Sequence, residues 1–167
     1  PDTRPNVTGP GSAYQVVSFL QGVVERGTGR RVKAVGKPLG GKTGTTNDSF
    51  DTWFVGFSPD LAVGVFAGFD APRTLGRRET GSSVAAPIFR DFMAGALSGK
   101  PAIPFRIPPG IRLVQVNVAT GELALPGERG VILEAFKPGT EPAGRRRLLQ
   151  GIAADGGAPA TGTGGLY

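Results

Sequence analysis

The sequence predicts an α+β fold, an antiparallel sheet covered by helices, with a loop-rich C-terminal appendix. Three observations carry that reading. Residues 12–26 place Ala13, Val16, Val17, Leu20 and Val24 at spacings of three and four, one apolar face of an amphipathic helix. Two apolar runs, Thr52–Phe57 and 61–69, are separated only by Ser58-Pro59-Asp60, a connection long enough for a hairpin and too short for a parallel crossover. Pro87 then opens a second helical pattern, as proline does in a first turn.

Taken in order, residues 1–11 form a Pro- and Gly-rich loop, Ser12 is the expected N-cap of the first helix, and Gly27 its left-handed C-terminal cap. The Gly/Arg cluster 27–31 reads as a loop and residues 32–35 as a short extended segment before Pro38. Residues 42–46 carry three threonines and favour a strand, which Asn47-Asp48-Ser49 breaks. The two hairpin runs are apolar at successive positions, so cover is expected on both faces of the sheet, with Trp53 in the core between sheet and helix. After a charged loop, 70–82, the second helix presents Ile88, Phe89, Phe92, Met93, Ala96 and Leu97 as an apolar stripe, and Gly99 and Pro101 end it. Residues 111–118 and 122–125 alternate around Thr120-Gly121, a small hairpin. The expected organisation is a helix–sheet–helix core over 1–99, a Pro/Gly-rich appendix over 100–142, and a disordered Gly/Ala/Pro/Thr tail over 143–167. The sequence shows no internal repeat.

The chain of 167 residues contains no histidine and no cysteine. A Ser-His-Asp triad, a thiol nucleophile and the usual zinc ligand sets are therefore excluded, and no metal or cofactor is expected. The net charge of +6 is dispersed over Arg30, Arg31 and Lys33, Arg77 and Arg78, and Arg145 to Arg147, without interleaved aromatics, so no nucleic-acid partner is expected. No apolar run approaches the roughly 18 residues a spanning helix needs. The chain begins at Pro1, without Met or signal sequence, and reads as a piece of something longer. Glu25, Asp51 and Asp70 stand at no spacing that demands acid–base work and are assigned surface or loop roles.

Chemistry concentrates at 40–46, Gly-Gly-Lys-Thr-Gly-Thr-Thr, which brings one ammonium and several hydroxyls onto a bare backbone. Gly36, four residues, then Gly41-Lys42-Thr43 spells a phosphate-binding P-loop, and the run ending at Asp70 resembles its Mg²⁺-binding strand. A P-loop must lead at once into a helix whose positive end faces the phosphate. Gly44, β-branched Thr45 and Thr46, and Asn47-Asp48-Ser49 make a poor first helical turn, which counts against nucleotide binding. The alternative is an edge strand beside a cleft, where Gly44 admits an extended peptide and the hydroxyls with Lys42 suit its C-terminal carboxylate. A third reading needs no ligand: lysine and threonines on an exposed edge strand simply deter aggregation. Four residues alone do not choose among these.

Lys42-Thr43-Gly44-Thr45-Thr46-Asn47, Trp53-Phe54-Val55-Gly56-Phe57-Ser58-Pro59-Asp60, Gly64-Val65-Phe66-Ala67-Gly68-Phe69-Asp70, Ala85-Ala86-Pro87-Ile88-Phe89 and Glu134-Ala135-Phe136-Lys137-Pro138-Gly139-Thr140-Glu141-Pro142 together resemble the transpeptidase domain of bifunctional, class A penicillin-binding proteins of the 1A type. The resemblance covers about residues 10–142 and implies a partial penicillin-binding protein/β-lactamase-like fold. That family carries Ser-x-x-Lys with the acylated serine, Ser-x-Asn, and Lys-Thr-Gly on the strand bordering the cleft. No serine here has a lysine three residues on or an asparagine two residues on. The resemblance therefore implies that the nucleophile lies in an N-terminal part absent here, together with a membrane anchor at the periplasmic face of the bacterial inner membrane.

By the same resemblance the intact protein is a serine D-Ala-D-Ala transpeptidase acting on peptidoglycan stem peptides and acylated by β-lactams. Lys42 and Thr45 would be catalytic, and Thr43, Gly44 and Thr45 would bind substrate; apart from the resemblance, Thr80-Gly81-Ser82 is read as a candidate for the cleft rim. A D,D-carboxypeptidase or β-lactamase of the same superfamily, and a non-catalytic module holding peptide ends, are the alternatives.

Overall fold

A computed structural model describes residues 5–142, and the tail expected to be disordered lies outside them. The described chain divides into two compact units, the first ending at Ile111 and the second starting at Arg112. Residues beyond the second helix still pack on the first unit, with the Phe105 ring edge-on to Phe57 at 5.4 Å.

Helix α1 spans Pro10–Glu25. Its N-cap is Gly9, not Ser12, because Pro10 takes the first helical position with φ already set and no N–H to leave unpaired. Gly27 is not left-handed either. The chain leaves the helix through Arg26, and the Gly27 N–H still bonds back to the Gly22 and Val23 carbonyls. Residues 30–35 wind into a 3-10 turn rather than extending, which inserts Val32 fully into the core, and it is Gly36, at φ 70°, that takes the left-handed cap.

Strands β1 (Gly40–Thr45), β2 (Thr52–Phe57) and β3 (Ala62–Ala67) form an antiparallel sheet in the order β1-β2-β3. Lys42 stands opposite Val55, Gly44 opposite Trp53, and Trp53 opposite Phe66. Alternation sends Thr52, Phe54 and Gly56 to one face, where Val24, Val32, Leu39, Phe54, Ala85, Ala86, Phe89, Met93 and Leu97 make the core. The Phe54 and Phe89 rings meet at 4.7 Å, and a Cβ on Gly41 or Gly56 would stand 2.7 Å from the Phe54 ring. Glycine in these strands makes room for the aromatic pair.

Cover on both faces is expected, and among the described residues the face opposite the core is covered only at its Gly40–Phe57 end, where Leu20 and Phe105 approach. Trp53, Val55 and Phe66 share the opposite face at 42%, 53% and 52% exposure. Trp53 is therefore not core between sheet and helix: it lies one residue from Phe54 and so points the other way, against Phe66 at 4.8 Å.

Helix α2 (Ala86–Ala96) is entered through a π-helical turn, Gly81–Ala85, closed by a reciprocal cap. The Thr80 hydroxyl accepts from the Ser83 N–H, and the Ser83 hydroxyl accepts from the Thr80 N–H. Of the apolar stripe, Phe89, Met93 and Leu97 are buried, whereas Ile88 and Phe92 are about half exposed. Gly99, at φ 69°, ends the segment.

In the second unit β4 (Arg112–Asn117) pairs antiparallel with β5 (Val131–Phe136). The expected partner of this strand, 122–125, contributes only a single bridge, Val116 to Leu123. The turn at Thr120-Gly121 forms, with the Gly121 N–H bonded to the Asn117 carbonyl, but Pro126-Gly127 cuts the returning segment short. The longer apolar run 131–136 takes the ladder instead. Among the described residues no helix is long and apolar enough to cross a membrane.

Candidate active site

Lys42, Thr43, Gly44 and Thr45 all lie on β1, which among the described residues has a strand partner, β2, on one side only. The extended backbone removes the P-loop reading: where a phosphate would need the start of a helix, the chain continues as strand and then turns through Asn47–Ser49 into a hairpin.

Strand alternation separates the predicted residues. Lys42 is exposed on the Val55 face, and its ammonium donates to the Thr43 carbonyl at 2.7 Å. Thr43 and Thr45 stand opposite Phe54 and Thr52, on the other face. The ammonium and the two hydroxyls therefore flank the strand instead of sharing one face, and a ligand meeting all three must lie along its rim. Gly44 stays bare between them; a Cβ there would press on Trp53 Cβ at 3.2 Å.

Each threonine is held by a neighbour that closes on β1 from the core side. The Thr45 hydroxyl accepts the Gly81 N–H at 3.0 Å. Thr43 Oγ1 lies 2.8 Å from Thr28 Oγ1, in the loop after α1, and the Ser82 hydroxyl donates to the Thr28 carbonyl at 2.7 Å. Gly81 and Ser82, assigned to the rim from sequence, are thus in contact with β1 or its support. Thr28 was missed. It stands 15 residues from Thr43 in a Gly-rich loop, and nothing in local spacing marks it.

Gly81 is fixed by contact. A Cβ on it would come within 2.4 Å of the Trp53 carbonyl oxygen and 2.5 Å of that of Gly44. Only a residue without a side chain lets the turn before α2 lie directly on the β1–β2 backbone and offer its N–H to Thr45.

Residues 3–94, more than half of the chain, match the family model described as the penicillin-binding protein transpeptidase domain, and the chain belongs to that family. Among individual relatives, it is 53% identical over 131 residues to penicillin-binding protein 1A of Rickettsia conorii, covering 78% of this chain and 16% of that protein. It is 46% identical over 141 residues to penicillin-binding protein 1A of Pseudomonas aeruginosa, covering 84% of this chain and 17% of that protein. The 2.6 Å crystal structure of penicillin-binding protein 1A from Haemophilus influenzae superposes with a TM-score of 0.72 at 35% identity, over 83% of this chain and 22% of that one. The antiparallel sheet with helices is thus the α+β transpeptidase fold, and the chain spans about a sixth of the length of these curated relatives.

Proposed function

We propose that this chain supplies the Lys-Thr-Gly-Thr wall of a serine D,D-transpeptidase that cross-links peptidoglycan stem peptides at the periplasmic face of the bacterial inner membrane. The observation that carries the reading is the extended β1, paired on one side only among the described residues, bearing Lys42, Thr43, bare Gly44 and Thr45 in a chain of the transpeptidase family. The nucleophile belongs to an N-terminal part of the same protein carrying Ser-x-x-Lys and Ser-x-Asn, since no serine of this chain stands in either pattern.

In the assembled site the serine attacks the D-Ala-D-Ala carbonyl, D-Ala leaves, and an amine of a neighbouring stem peptide resolves the acyl-enzyme. Lys42 supplies a fixed positive charge at the rim, which draws the substrate carboxylate and lowers the cost of developing negative charge. The Thr43 and Thr45 hydroxyls donate to that carboxylate. The Thr45 backbone N–H provides one half of the oxyanion hole, and the nucleophile's own N–H the other. β-Lactams enter as mimics of the same peptide.

In the full-length protein, Lys42→Ala is expected to slow acylation by a fluorescent penicillin about a hundredfold, the scale of one lost charge-stabilising group. The label should map to a peptide outside these 167 residues. An unchanged rate would remove Lys42 from the mechanism, and an adduct within this chain would overturn the assignment of the nucleophile.

A further inference from the structure

We propose that Thr28 is a positioning residue that sets the direction of the Thr43 hydroxyl, with Ser82 as the brace that holds Thr28 in place. The inference rests on the proposed function, since it takes Thr43 as a donor to a carboxylate.

Two contacts form a chain from the turn before α2, through the loop after α1, to β1. The Ser82 hydroxyl donates to the Thr28 carbonyl at 2.7 Å, and Thr28 Oγ1 meets Thr43 Oγ1 at 2.8 Å. The loop is also anchored beside Thr28. Gly29 is buried, and a Cβ on it would stand 3.3 Å from the Phe54 ring. Thr28 is therefore pinned by the core on one side and by Ser82 on its carbonyl.

A hydroxyl has one proton and two lone pairs. In the Thr28–Thr43 contact either oxygen has the geometry to donate. If Thr43 spends its proton on Thr28, it meets an anion with lone pairs. If Thr28 donates, Thr43 accepts on one side and its proton is free to point at the ligand. An arriving carboxylate has only acceptors to offer, so it selects the second arrangement: Thr28 O–H to Thr43 oxygen, Thr43 O–H to carboxylate. Such a chain polarises the terminal donor and strengthens the bond to the anion. Thr45 is arranged in the same sense, because it already accepts the Gly81 N–H and its own proton is left for a ligand. Thr28 thus acts on carboxylate recognition without touching the carboxylate.

The test measures second-order acylation rates of the full-length protein by benzylpenicillin and by its uncharged methyl ester. Thr28→Val keeps the shape and removes the donor. It is expected to slow benzylpenicillin about tenfold, on the scale of one hydrogen bond to a charged group, and the ester less than twofold. Thr28→Ser should restore the wild-type ratio of the two rates. That ratio is taken within one preparation, so a partly misfolded variant lowers both rates and leaves it unmoved. Equal losses on both substrates, or no loss at all, would overturn the positioning role. Thr43→Val separates this from the reading beneath it: if Thr43→Val shifts the ratio and Thr28→Val does not, only the inference about Thr28 fails. If wild-type protein is not acylated by penicillin, or Thr43→Val leaves the ratio unchanged, the proposed function of Thr43 fails and Thr28 with it.

Discussion

Gly81 shows how much a single missing side chain decides. Its backbone lies against the carbonyls of Trp53 and Gly44, and its N–H serves Thr45. The atoms a methyl group would strike are paired strand backbone, which cannot rotate away as a side chain would. Gly81→Ala is expected to cost about 1–3 kcal/mol, the range for overpacking a filled site. Urea unfolding of the chain would measure it, and a cost within a few tenths of zero would show that the turn yields. Thr43 and Thr45 carry the complementary lesson. Their residue types were informative in sequence, but the partners that orient them, Thr28 and Gly81, stand 15 and 36 positions away. No local pattern records a contact of that range.

At the scale of elements, β2 and α2 each present two faces of unequal standing. Local pattern identified both elements, β2 as an apolar run at Thr52–Phe57 and α2 by proline at its start and an apolar stripe. It did not say which apolar residues are covered. Phe89 is fully buried against Phe54, whereas Phe92, one turn on, is 54% exposed. Phe89→Ala is expected to destabilise the isolated chain by about 3–5 kcal/mol, the usual cost of a large ring removed from a core. Phe92→Ala should cost no more than about 0.5 kcal/mol, as for a surface position. Thermal or denaturant unfolding of the pair gives the comparison, and equal losses would mean that α2 docks through a different stripe. The 3-10 turn at Arg30–Val35 belongs here too. Its sequence allowed an extended segment, and burial of Val32 chose the turn.

For the whole molecule the consequence lies on the exposed part of the sheet's second face. Trp53, Val55 and Phe66 form an exposed apolar group beside Lys42, on a sheet whose other face holds the core. Apolar groups of this kind mark surfaces that meet another element. Because the chain has one tryptophan, its fluorescence reports that face alone. Iodide should quench Trp53 readily in the isolated chain. Strong protection in the isolated chain would show that the face is already covered. The division into units at Ile111 and Arg112 is a finding of the same scale. Within the first unit, Phe105 lies edge-on to Phe57 and holds the segment after α2 against the sheet.

The sequence by itself determined the two main helices, the β2–β3 hairpin and the antiparallel sense of its strands, because each follows from residue spacing over a few positions. It also excluded imidazole and thiol chemistry by composition. Tertiary structure decided which face of the sheet is covered, the separation of Lys42 from Thr43 and Thr45 across the strand, the ladder between β4 and β5, and the hold of Thr28 and Gly81 on the two threonines. Those depend on contacts between segments far apart in the chain, where packing and hydrogen-bond satisfaction override local preference.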